Sequence, residues 1–100
     1  FLKLGAEGAW AWDGEQEARV PAIPVEVQDP VGAGDAFNAG VIAASILGGG
    51  LLAQAGLGNA LGALAASGTP FSPQNLMRLV SALPKEVQEE LPGVLTKLGL

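Results

Sequence analysis

From position 36 to position 77 the chain carries no Asp, Glu, Lys or Arg. An uncharged stretch of that length must be hidden from water, either in a bilayer or in a protein core. Residues 41–66 are long enough to cross a hydrocarbon layer of about 30 Å. Gly58 and Gly62 also form a GxxxG pair, a close-packing device of membrane helices. Three features oppose a span. Gly48, Gly49 and Gly50 interrupt its centre, Gln54 and Asn59 lie inside it, and no basic or aromatic anchors flank it. The run therefore reads as two helices of globular length buried within a layered α/β domain, with no membrane partner.

The first of these helices is expected after Gly34. Phe37, Val41, Ile42 and Ile46, with alanines and Gly40 on its other faces, predict burial almost all round until the triple glycine ends it. The second is expected over residues 51–66. Its glycines at 56, 58 and 62 each cost about 1 kcal/mol relative to alanine, so it needs close tertiary packing. Ser67-Gly68-Thr69-Pro70 stops it. Ser72-Pro73 then marks an N-cap followed by proline at the first helical position, with Leu76, Leu79, Val80 and Leu83 as the apolar stripe. A further short amphipathic helix turns Val87 and Leu91 inward, and the tail after Pro92 is expected to fray.

The N-terminal third has a different texture. Residues 1–4 read as a strand, and residues 8–12 as a second with Trp10 and Trp12 on one face. Asp13-Gly14 is a hairpin signal, with residues 15–20 returning. Paired aromatics at period two predict packing on a sheet face or edge rather than a sugar platform. Pro21 and Pro24 break the ladder, and Val25-Glu26-Val27 predicts a last short strand. One hundred residues, 49% of them apolar, suit one small domain. The chain opens without Met or a signal-peptide pattern, which predicts a piece of a longer protein.

Charge and composition narrow the function. A net charge of −5 with scattered cations excludes an electrostatic nucleic-acid binder. Without cysteine there is neither a disulfide frame nor a thiolate metal site, which fits a reducing cytoplasm. Without histidine, acid–base work falls to Asp, Glu or Lys. The chemically suggestive segment is residues 29–40, DPVGAGDAFNAG. A glycine-rich turn between strand and helix presents amides at the positive end of the helix dipole, where an anion is stabilised. Gly32 and Gly34 would let a phosphate approach the backbone. The pattern is neither the Walker loop nor the dinucleotide fingerprint. Asp35 has two readings: an N-cap, for which Asp is well suited, or a carboxylate beside the anion hole that takes a proton from an attacking hydroxyl.

DPVGAGDAFNAG resembles the C-terminal signature of the ribokinase (PfkB) family of carbohydrate kinases, usually D-T-x-G-A-G-D-x-F. The matching positions are Asp29, Gly32, Ala33, Gly34, Asp35 and Phe37. Upstream, LGAEG with Gly5 and Gly8 is similar to the family's G-x-x-G turn of the nucleotide site. Downstream, Asn59-Ala60 followed by Gly62-Ala63-Leu64-Ala65 resembles the family's Asn-Ala-rich helix beside the adenine. The three stand in order across roughly two-thirds of the chain. The wording is nearest to the 2-keto-3-deoxygluconate kinase and fructokinase branches.

The resemblance implies the C-terminal, nucleotide-binding and catalytic portion of a ribokinase-like three-layer αβα sandwich, spanning residues 1–100. The family subunit is about three times as long, so the N-terminal sheet, lid and sugar site would lie outside this chain. It implies Asp35 as catalytic base, the amides of Gly32, Ala33, Gly34 and Asp35 as anion hole, and Lys3, Gly5, Gly8 and Asn59 at the nucleotide. ATP with Mg²⁺ and a small sugar would be the ligands, and a homodimer the assembly. Asp29 and the carbonyl of Val31 match positions of a K⁺ site. Two positions depart from the pattern: Pro30-Val31 replaces a Thr-containing pair, and Lys3 stands where many members carry Thr. The rival expectation is a truncated, non-catalytic remnant that folds by association.

Overall fold

The computed structural model describes residues 2–3, 8–12, 14–26, 28 and 30–99. Three antiparallel strands, β1 (Leu2–Lys3), β2 (Ala9–Trp12) and β3 (Glu17–Val20), lie in the order β1-β2-β3. Five helices follow: α1 (Pro30–Ile46), α2 (Leu51–Ala66), α3 (Pro73–Val80), α4 (Lys85–Glu89) and α5 (Pro92–Lys97). The fold is mixed α/β, and among the described residues helices cover one face of the sheet.

The uncharged run explains the layout. α2 is buried nearly all round because it touches β2 and β3 on one side, α1 on another, and α3 and α4 on a third. Its lack of charge follows, since no part of it meets enough water to solvate an ion. α1 differs from expectation. It is buried along one stripe only, Ala33, Phe37, Gly40 and Ala44, at the spacing of a single helix face. Val31, Ile42 and Ile46 on its other side are exposed, because α1 packs against α2 and no other described element reaches its outer face.

The α1–α2 junction is a Schellman turn. Gly48, at φ +86°, takes the left-handed conformation that side chains resist, while its amide bonds Ser45 and the Gly49 amide bonds Ala44. α2 ends the same way at Gly68. Ser72 caps α3 by accepting a hydrogen bond from the Asn75 amide at 3.0 Å, as Ser72-Pro73 predicted.

Three further expectations need correction. Val25 and Glu26 form no strand, because among the described residues no strand lies beside them to pair with; Val27 lies outside the described residues. The hairpin is joined by residues 13–16 rather than a two-residue turn, since Trp12 pairs with Glu17; Asp13 is outside the described residues. The tail does not fray but forms α5. Val94 and Leu95 are buried, and Lys97 Nζ donates to the Leu47 carbonyl at 3.1 Å. The tryptophans share a face, as predicted, but that face turns away from the helices. Ala9, Ala11, Ala18 and Val20 point inward, and Trp12 is 61% exposed.

Candidate functional site

The helix register divides the glycine-rich motif into anchors and presented groups. Ala33 and Phe37 lie one turn apart and face α2. There, a methyl group added to Gly58 would stand 3.0 Å from both the Phe37 ring and Val41. One added to Gly62 would stand 3.3 Å from the Ala33 carbonyl. The absence of side chains at 58 and 62 is what lets the start of α1 lie close on α2. Asp35, by contrast, points outward and is exposed, and a methyl group on Gly34 would meet nothing within 4 Å.

α1 begins at Pro30, five residues before the expected start. Proline at the first helical position costs no hydrogen bond and arrives with helical φ. Asp35 therefore sits in the second turn and is not an N-cap, which removes the simplest structural explanation for it. The same register engages the Gly34 and Asp35 amides with the carbonyls of Pro30 and Val31. In this conformation those two amides of the expected anion hole serve the helix. Gly32 and Ala33 occupy the end of α1 where the helix dipole is positive.

Of the residues assigned to the nucleotide, Gly5 and Asp29 lie outside the described residues, and only the backbone of Lys3 is described, in β1. Val31 is 77% exposed in the first turn. Gly8 and Asn59 come together, but on protein backbone. Asn59 Nδ2 donates to the carbonyls of Val20 (3.1 Å) and Pro21 (3.0 Å), and a side chain on Gly8 would overlap the same Val20 oxygen.

A tie that sequence did not indicate lies just before α1. The Gln28 amide donates to the Ala66 carbonyl at 2.6 Å, so the end of α2 fixes the approach to the motif. A depression of about 510 Å³ lies elsewhere, lined by Gln16, Glu17, Gly50, Leu51, Leu52 and Glu90. Its two carboxylates, Glu17 and Glu90, oppose an anionic ligand there.

The start of α1 is thus anchored on α2 by Ala33 and Phe37 and leaves Asp35 exposed beside Gly34. Residues 1–71 match the model of the pfkB family carbohydrate kinases, and the chain belongs to that family. It is 49% identical over 41 residues to an uncharacterized sugar kinase of Archaeoglobus fulgidus, a match covering 41% of this chain and 16% of that protein. It is 38% identical over 61 residues to the uncharacterized sugar kinase YegV of Escherichia coli strain K12, covering 61% of this chain and 19% of that protein. The matched part of the chain thus spans less than a fifth of the length of these relatives. No solved structure matches it significantly.

Proposed function

We propose that the chain forms the nucleotide-side and catalytic portion of an ATP-dependent kinase acting on a hydroxyl of a sugar or keto-sugar acid, of the 2-keto-3-deoxygluconate or fructose kind. The observation that carries this reading is the presentation of Asp35. It is exposed on the second turn of α1, opposite the buried Ala33 and Phe37 and beside the open Gly34. It has no capping duty to explain it.

In this reading ATP supplies the transferable phosphoryl group. The Asp35 carboxylate accepts the proton of the sugar hydroxyl as that oxygen forms its bond to the γ-phosphorus, while the bond from that phosphorus to the β–γ bridging oxygen breaks and ADP leaves. The positive end of α1 favours the negative charge held there. Gly32 and Gly34 each weaken the first turns of the helix by about 1 kcal/mol relative to alanine. Opening that turn would free the backbone amides that form the hole of Gly32, Ala33, Gly34 and Asp35. Mg²⁺ would accompany the triphosphate, whose oxygens suit a hard cation, with Asp35 as the nearby carboxylate. In the helical conformation the Val31 carbonyl accepts from the Asp35 amide, so it would meet a cation such as K⁺ only with that turn open.

The family-like layers, the lid and the sugar-holding residues belong, in this proposal, to polypeptide beyond these 100 residues. Turnover of a keto-sugar by the 100-residue chain alone would overturn that division. In the complete polypeptide, Asp35→Asn is expected to lower kcat by about 10²–10⁴-fold while ATP binding persists. Coupled ADP release and calorimetry measure the two, and a variant keeping about a tenth of the wild-type rate overturns the assignment of Asp35 as base. A second reading, an association module without turnover, is favoured by the exposed Val31, Ile42 and Ile46 on the outer face of α1, where Asp35 is the charged residue. Its occupant would be a second copy. Light scattering of the chain tests it: a monomer at all concentrations excludes it.

A further inference from the structure

Asn59 is the buried polar side chain of the core among the described residues, 7% exposed on a helix whose other residues, Gln54 apart, are Ala, Gly and Leu. Burying an amide there is unfavourable unless its hydrogen bonds are made. Its Nδ2 spans two successive carbonyls, Val20 and Pro21, at the point where β3 leaves the sheet. The other side of that segment is closed by Gly8. A side chain there would overlap the Val20 oxygen and stand 2.7 Å from the Ala22 amide nitrogen, and the φ of +101° also resists one. Residues 20–22 are therefore clamped between the head of β2 and α2. On the adjoining face of the same turn of α2, Gly58 seats Phe37 and Val41, and one turn further Gly62 meets Ala33. One helix thus sets the distance between two segments that are far apart in sequence: Gly8 with the hairpin, and the start of α1 with Asp35.

We infer that Asn59 is a positioning residue, which holds residues 20–22, and through them Gly8, at a fixed spacing from the start of α1 so that both segments can engage one nucleoside triphosphate. The inference rests on the kinase reading above for its ligand and on the two hydrogen bonds for its geometry. Any apolar residue of similar size would fill the space, but none would fix the backbone of the strand's exit.

The test has two arms. In the first, hydrogen exchange is followed without nucleotide in the 100-residue chain and in Asn59→Ala. Faster exchange confined to residues 8–12 and 20–22, with α1 and α2 still protected, is expected; unchanged exchange in those segments overturns the tie. In the second, the complete polypeptide is assayed. The KM for ATP should rise about tenfold, the worth of one well-placed hydrogen bond, with kcat and the sugar KM nearly unchanged. A lower melting temperature with an unaltered ATP KM overturns the positioning role, leaving a merely structural one. A raised ATP KM with unaltered exchange in the absence of nucleotide also overturns it, in favour of direct contact. Asn59→Ser, which keeps one short donor, should fall between the two in both arms and serves if Asn59→Ala does not fold. Wild-type protein that binds no ATP by calorimetry overturns the kinase reading and the nucleotide part of this inference. The exchange arm still decides the tie by itself.

Discussion

Gly40 and Gly34 belong to the same helix, and the same substitution should move stability in opposite directions at the two. At Gly40 a methyl group would lie 2.8 Å from the Gly58 Cα and the Leu57 carbonyl, which are backbone atoms and cannot rotate away. The helices would have to part, and overpacking of this kind costs about 1–3 kcal/mol. Gly34→Ala meets open space and gains about 1 kcal/mol of helix propensity. Urea denaturation of the two variants should therefore show a lower midpoint for Gly40→Ala and a higher one for Gly34→Ala. Under the kinase reading, the gain at Gly34 comes with weaker phosphoryl binding, because it stiffens the turn that must open. At this scale the sequence showed that glycines permit close approach, which holds for Gly58 and Gly62. It did not show that Gly40 is their counterpart, because the crossing point depends on both helices at once. Asp35 was legible as a chemical candidate. Asn59 was legible only as part of a resemblance, since nothing local says that an amide will reach a carbonyl 39 positions away.

Among the elements, helix stops and caps were the most readable, because each depends on a few adjacent residues. Ser72 supplies the side-chain acceptor at the head of α3. Ser72→Ala should lower stability by about 1 kcal/mol, seen as a reduced thermal midpoint, with helix content otherwise kept. An unchanged midpoint would mean that the cap is replaced by water at no loss. The start of α1 was misread because Gly32 and Gly34 argue for a loop on propensity alone. Packing of Ala33 and Phe37 against α2 overrides that weak local preference. Val25 and Glu26 failed for the opposite reason: their residue types suit a strand, but an extended segment becomes a strand only where a partner supplies hydrogen bonds. Both errors have one physical source, which is that the deciding atoms lie elsewhere in the chain.

For the molecule as a whole, α2 is the hub, and the long uncharged run foretold it. What that run could not foretell is that the last residues complete the same core. Val94 and Leu95 of α5 join the cluster that also holds Ala9 and Val20 of the sheet and Leu57 of α2. If this is one cooperative unit, damage at one edge must be felt at the other. Leu95→Ala removes buried methyl groups at a site 6% exposed, a change that costs about 2–5 kcal/mol where the surroundings cannot collapse. The tryptophans of β2 provide a reporter remote from that change in the chain. Urea unfolding followed by tryptophan fluorescence and by far-ultraviolet dichroism should shift to lower midpoints together, by the same amount. If α5 instead frayed independently, the fluorescence midpoint would stay with the wild type while dichroism lost a small early step. Coincident shifts would establish that the final helix and the hairpin unfold as one unit.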